Sequence, residues 1–367
     1  NLADISIANG VESIGAGAFK KCLSLTEITI PKSVTYIGGS LLYGCDNLVR
    51  LSVPFLGSTV DKYVWNDANL EYLVEKENKS LREVTLSNSK HVGQMAFAHY
   101  WENLTSITLC EGIEIIYPEA FLWCTGLTSI VIPDSVVEIE MGAFRECTSL
   151  ESVTFGEGLT KIGRIAFQNC HALTKINTPN NLKHVGENAF STCELLLQME
   201  NGVTYVDRIA IQCDKTLTSV VFRENTLLLG DHIFSGCNSL ISVTLPEGLV
   251  SIDEYAFSGC TSLSSIDLPS TLKNIGARAF SECTVLNDVT LPNGIEYIGE
   301  YAFSECVSFT KFAFPDSVLE IGGYVLSYCG NLTQVVLCEG ITYLPEGLLY
   351  KCESVTEFII PETVTSI

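Results

Sequence analysis

A 23-residue pattern returns along almost the whole chain, and this repetition limits the possible folds more than any single residue does. From Leu240 the chain reads LISVTLPEGLVSIDEYAFSGCTS, from Leu263 LSSIDLPSTLKNIGARAFSECTV, and from Leu286 LNDVTLPNGIEYIGEYAFSECVS. The shared unit is LxxIxLPxxLxxIGxxAFxxCxx. Aligned outward, units begin at Leu2, Leu25, Leu48, Leu81, Leu104, Leu127, Leu150, Leu173, Leu196, Leu217, Leu240, Leu263, Leu286, Phe309, Leu332 and Val355. Repeats of this length stack as a solenoid, in which each unit contacts only its neighbours and the core grows lengthwise. The 367 residues therefore need not divide into separate globular cores. The expectation is one solenoid over 1–367 that reads as a segment of a longer array, because the last unit stops at its thirteenth position.

Within a unit, apolar and polar residues alternate around IxLP, which predicts a short strand with one face inward. Nine of the eleven prolines stand at the seventh position (Pro31, Pro54, Pro133, Pro179, Pro246, Pro269, Pro292, Pro315 and Pro361), where the missing N–H ends a ladder. LxxIG predicts a second extended segment. The AFxxC spacing predicts a single helical turn that presses Phe and Cys inward. With strands about 4.8 Å apart, about sixteen coils would make a curved rod roughly 75 Å long.

The unit resembles the BspA-type leucine-rich repeats, the class also described from treponemal surface proteins. About ten constrained positions recur more than ten times over nearly the whole chain, which makes the resemblance specific. It implies an α/β repeat solenoid, a right-handed leucine-rich-repeat horseshoe of short strands and single helical turns. It also implies a bacterial, or occasionally protist, cell-surface protein linked to adhesion and to host extracellular-matrix proteins. The family offers no catalytic residues to carry over.

Two units depart from the pattern. The unit at 48–80 is ten residues too long and has lost IGxxAFxxC; the unit at 196–216 is two residues short. The long unit carries Phe55, Tyr63, Trp65 and Tyr72 in a stretch freed from repeat geometry, a natural place for a partner to bind, although it could also simply pack over its neighbours. Near the C-terminal end Tyr297, Tyr301, Tyr324, Tyr328, Tyr343 and Tyr350 gather at variable positions. Tyr297 shares a phase with Tyr343, and Tyr301 with Tyr324, so stacking would group them. Such a group either anchors a partner at little entropic cost or lies along the coil edges. The outward Ser/Thr residues of the first strand, such as Ser106 and Thr108, are good strand chemistry or a shallow docking strip.

Fifteen cysteines occur, and twelve share the twenty-first position: Cys22, Cys45, Cys124, Cys147, Cys170, Cys193, Cys237, Cys260, Cys283, Cys306, Cys329 and Cys352. They read as a structural ladder of buried thiols, with scattered disulfides or metal ligation as the other options. The five histidines fall at five different phases. No CxxC pair, nucleophile elbow or phosphate-binding loop appears, so no catalytic, cofactor or metal site is expected.

Apolar residues make up 47% of the chain, which places it among folded proteins. The net charge of −22 repels phosphate backbones and argues against nucleic acid as a partner. No apolar run is long enough for direct membrane insertion, and the N-terminus lacks a leader pattern, so any leader would lie outside the segment or have been removed. The expected function is a cell-surface or secreted adhesion module, not an enzyme. It would bind a protein of a host or neighbouring cell, such as an extracellular-matrix or surface glycoprotein; a carbohydrate could occupy the tyrosine patch. The alternative is a passive spacer that presents a domain lying outside the segment.

Overall fold

The computed structural model describes residues 2–58, 69–74, 78–99 and 101–366. It is a β-solenoid of about fourteen turns with parallel stacked strands. The chain divides into two compact units, one comprising 1–182 and 186–196, the other 183–185 and 197–367.

A regular coil has up to two short strands because two stretches of the repeat alternate β-branched or large apolar residues with polar ones. In the first unit Glu27–Thr29, Arg50–Val53, Glu83–Leu86, Ser106–Thr108, Ser129–Val131 and Ser152–Thr154 form one parallel sheet. The register advances by one repeat per strand, as in Val153 beside Ile130 and Ile28 beside Leu51. The middle residue of each strand is buried, and in Ser106–Thr108 and Ser129–Val131 both flanking residues are exposed. The second stretch gives two-residue strands, such as Glu138–Ile139 between Ile115–Ile116 and Lys161–Ile162 in the first unit. In the second unit Ser251–Ile252, Asn274–Ile275, Tyr297–Ile298 and Glu320–Ile321 pair in the same way.

The third side of the coil differs from the expectation. The AFxxC segment is not helical; among the described residues the only regular helix is the 3-10 turn Leu70–Tyr72. The reason lies in the backbone. The sixteenth and twentieth residues of a coil take positive φ, as in Tyr301 (56°) and Glu305 (61°), and a right-handed helix cannot continue through such residues. Their N–H groups leave the coil. Tyr301, Phe303 and Glu305 donate to the carbonyls of Gly323, Val325 and Ser327 in the next coil at 2.9–3.0 Å, while Ala302, Ser304 and Cys306 donate within their own coil. The turn is therefore a third inter-coil ladder.

Inside this ladder the phenylalanines stack. Phe97, Phe121, Phe144, Phe167 and Phe190 follow one another at 4.6–5.3 Å in the first unit. Phe234, Phe257, Phe280 and Phe303 do so at 5.1–5.3 Å in the second. The twenty-first residue closes the turn. Cys306 donates its thiol to the Phe280 carbonyl at 3.2 Å, and the contact recurs at Cys124, Cys147, Cys170, Cys193, Cys260, Cys283 and Cys329 at 3.0–3.3 Å. That carbonyl already accepts the N–H of Cys283, so the thiol fills its second lone pair. Cysteine suits the place because it is small, apolar and still a weak donor. All fifteen cysteines are free thiols; Cys22, Cys110 and Cys352 are half-buried and the others buried.

A glycine at the fourteenth position lets consecutive coils approach. A Cβ on Gly299 would stand 2.4 Å from the Ala277 nitrogen, and one on Gly276 2.6 Å from the Asp253 carbonyl carbon. The short unit at 196–216 breaks the stacking differently, as an antiparallel meander of Gln198–Glu200, Val203–Val206 and Ile209–Cys213. Asn201 and Gly202 both take positive φ, at 50° and 78°, which is the geometry of a tight two-residue hairpin.

Two outcomes are expected. Phe280→Ala, in the middle of a stack, lowers unfolding free energy by about 3–5 kcal/mol in urea titration. Burial pushes the Cys283 and Cys329 thiols up to about 12. Because only Cys22, Cys110 and Cys352 are not fully buried, an alkylating reagent at pH 8 labels these three in the native protein, and peptide mapping finds the remaining sites modified only after denaturation.

Candidate partner-binding site

The positive-φ sixteenth position points its side chain outward, and in five successive coils it carries a planar group: His232, Tyr255, Arg278, Tyr301 and Tyr324. Repetition of one backbone conformation makes these groups stack. His232 lies 4.5 Å from Tyr255 at 10° between planes, and Tyr301 lies 5.0 Å from Tyr324 at 8°. The Arg278 guanidinium bridges the pairs, 5.8 Å from the Tyr255 ring and 4.3 Å from the Tyr301 ring. Each member holds a backbone conformation that costs a non-glycine residue of order 1 kcal/mol or more. Stacking and cation–π attraction of about 0.5–1.5 kcal/mol per contact offset part of that strain.

The column turns a corner at its C-terminal end. Tyr324 meets Tyr350 edge-on at 6.0 Å, and Tyr350 meets Tyr328 at 5.4 Å. Tyr328 and Tyr350 are 46% and 47% exposed, so their rings are available to a partner. Beside Tyr324 opens a groove of about 360 Å³ lined by Tyr297, Glu300, Glu320, Tyr324, Tyr343 and Glu346. No basic residue lines it. Tyr324 donates to Glu346 Oε1 at 2.9 Å, and Tyr343 donates to the Ile321 carbonyl at 3.2 Å. Burial raises the Tyr297 hydroxyl above its usual range, and the carboxylates of Glu320, Glu254 and Glu300 add to the effect. The hydrogen bond to Glu346 does the same for Tyr324, and the neighbouring Tyr350 for Tyr328. A surface of aromatic faces rimmed by carboxylates attracts cations and repels anions.

The structure thus brings all six C-terminal tyrosines into one neighbourhood. Tyr255, Arg278 and His232 extend it and were missed in the sequence; the signal was their common sixteenth position beside Tyr301 and Tyr324. The other candidate stretch fares differently. Phe55 is 1% exposed and packs in the core of the first unit, so it is not offered to a partner. In the over-long coil the place of the AFxxC turn is taken by Leu70, Leu73 and Val74, which are buried, and the Leu73 carbonyl accepts the Leu42 N–H at 2.8 Å. Tyr72 is half-buried, with its carbonyl bonded to the Ser40 N–H at 2.7 Å. Tyr63 and Trp65 lie outside the described residues.

The match to known proteins follows the repeat. A family model described as a BspA type leucine-rich repeat region fits in six copies, over residues 1–127, 76–197, 114–240, 204–295 and 251–367. The chain belongs to the BspA-type leucine-rich-repeat family. Solved structures similar to this BspA-type chain include a leucine-rich cell surface protein from Faecalibacterium prausnitzii A2-165 (22% identity, 94% of this chain and 82% of that one, TM-score 0.35). A leucine-rich repeat protein of T. pallidum matches at 28% identity over 49% of this chain and 77% of its own, with a TM-score of 0.25. The pneumococcal vaccine antigen PcpA matches at 19% over 99% and 90%, with a TM-score of 0.35. At these scores the family assignment rests on the repeat itself. No curated protein matches the chain. Among the described residues no helix of this BspA-type chain is long and apolar enough to cross a membrane.

The left-handed backbone of the column gives a direct check. Tyr301→Ala keeps the unfavourable φ and loses the stacking, whereas Tyr301→Gly loses the stacking but relieves the strain. The glycine variant should be more stable than the alanine variant by about 1 kcal/mol in parallel urea titrations.

Proposed function

We propose that this chain is a cell-surface or secreted adhesion module that holds a protein of a host or neighbouring cell through a basic segment docked on the tyrosine–glutamate face. The observation that carries this reading is the continuity of the stacked column with the groove of Tyr297, Tyr324 and Tyr343, whose charged lining consists of Glu300, Glu320 and Glu346. Lys and Arg side chains gain there from ring faces and carboxylates together. Tyrosine supplies contact area with only two torsions to freeze, and rings already stacked have less freedom left to lose. A net charge of −22 favours approach of a basic partner over long range. An extracellular-matrix or surface glycoprotein with exposed basic stretches fits these requirements, and no chemical step is needed for such a role.

The test is surface capture. The immobilised chain is exposed to purified matrix and mucosal glycoproteins, and bound partners are compared against Tyr324→Ala and Tyr350→Ala variants. The expected loss is at least about 30-fold in affinity for the double variant, as for other desolvated aromatic anchors. Added salt should weaken the wild-type complex. Equal binding by wild type and variant would remove the tyrosine face from the function, and failure of the wild-type chain to bind any of them would favour the spacer reading.

A further inference from the structure

Among the described residues there is one place where three metal-ligating side chains converge, namely His184, Asp231 and Asp253. They come from three separate segments of the second unit and are not neighbours in sequence. His184 Nδ1 stands 2.9 Å from Asp253 Oδ1 and 3.7 Å from Asp231 Oδ1, and one donor atom from each residue lies within 4.8 Å of the others. Two donors of one divalent ion, with bonds of about 2.0–2.2 Å, stand roughly 3 Å apart. The observed spacings are those of a ligand set that needs shifts of an ångström or so to close on an ion.

The carboxylates are fixed before any ion arrives. Asp253 Oδ2 accepts the Val185 N–H at 2.7 Å, and Asp231 Oδ1 accepts the Glu254 N–H at 3.1 Å. Backbone donors of this kind orient ligating carboxylates in metal sites. Both Asp side chains are almost wholly buried, at 7% and 6% exposure, while His184 at 21% leaves a way in from solvent. Two carboxylates and one imidazole are packed together here with little access to water, Glu254 adds negative charge, and a cation held among them would offset the cost of burying that charge.

The position of Asp253 points the same way. It is the fourteenth residue of its coil, where Gly276, Gly299 and Gly322 stand in the next three and where an added Cβ would come within 2.4–2.6 Å of the preceding backbone. The coil before Asp253 is looser, since a Cβ on Gly230 would be 3.5 Å from its nearest neighbours, the Ala210 and Val185 carbonyl oxygens. A carboxylate thus stands where the repeat uses glycine, in the part of the second unit that follows the antiparallel meander.

We propose that His184, Asp231 and Asp253 bind a divalent first-row transition ion of the zinc class, with one nitrogen and at least two carboxylate oxygens as ligands. The mixed donor set selects against Ca²⁺, which takes six to eight oxygens. The site shares no ligand with the tyrosine face, and its role is to hold the His184 segment against the coils of Asp231 and Asp253.

Zn²⁺ titrated by calorimetry into the metal-stripped full chain at pH 7.5 should bind with a stoichiometry of one and raise the thermal midpoint. His184→Ala and Asp231→Asn should each weaken binding at least 10-fold and abolish the thermal shift. Circular dichroism checks that each variant folds, and the isosteric Asp231→Asn serves if His184→Ala does not. Co²⁺ in place of Zn²⁺ should give ligand-field bands without a thiolate charge-transfer band, which separates the site from the cysteines. No binding, binding unchanged in both variants, or a thiolate band in the bound state would overturn the proposal.

Discussion

Hydrogen bonding between coils one repeat apart is the constraint on which the rest of the structure depends. A coil of this size cannot satisfy its own backbone, since its strands are two to four residues long and its turn is not helical. Three ladders supply the missing partners: the first strands, the two-residue strands, and the turn whose alternate N–H groups point to the next coil. The third ladder depends on positive φ at two places in each turn. Once those dihedrals are set, equivalent residues of successive coils must superpose, and the phenylalanine stack and the thiol–carbonyl contacts follow from that superposition.

The same superposition produces the outer column. The backbone brings each sixteenth residue over the next whatever its side chain, so five planar groups in a row become a continuous surface. In the coil that follows, the sixteenth residue is Gly347, and Tyr324 lies over it; a Cβ there would fall 2.3 Å from the Tyr324 ring. The column therefore ends where glycine makes room for its last ring. That ring then faces Glu346 and the groove instead of another stacking partner.

Irregularity has a local cause and a local effect. The short unit cannot complete a regular coil and folds as a meander around the Asn201–Gly202 turn. The Asn-Gly pair followed by VTYV was a hairpin signal in plain view, but the repeat frame assigned those residues to a coil. The coil directly after it lacks the tight approach at the fourteenth position, since a Cβ on Gly230 would be 3.5 Å from its nearest neighbours. Asp231 and Asp253 meet His184 there, a histidine whose phase in the repeat is shared by none of the other four.

The sequence by itself determined the family, the period, the strand positions, the role of proline and the alignment of the cysteines. All of these recur at a fixed spacing, and recurrence can be read without coordinates. It also placed the six C-terminal tyrosines near one another, because phase within a repeat is a coordinate around the solenoid. Only the tertiary structure decided that AFxxC is a hydrogen-bonded ladder and not a helical turn, since φ at the sixteenth and twentieth positions is set by the neighbouring coil and not by residue type. Only it buried Phe55 and joined Arg278 and His232 to the tyrosines. And only it brought His184 to Asp231 and Asp253, because contacts made where the period fails are set by how the displaced coils repack, which no spacing in the chain encodes.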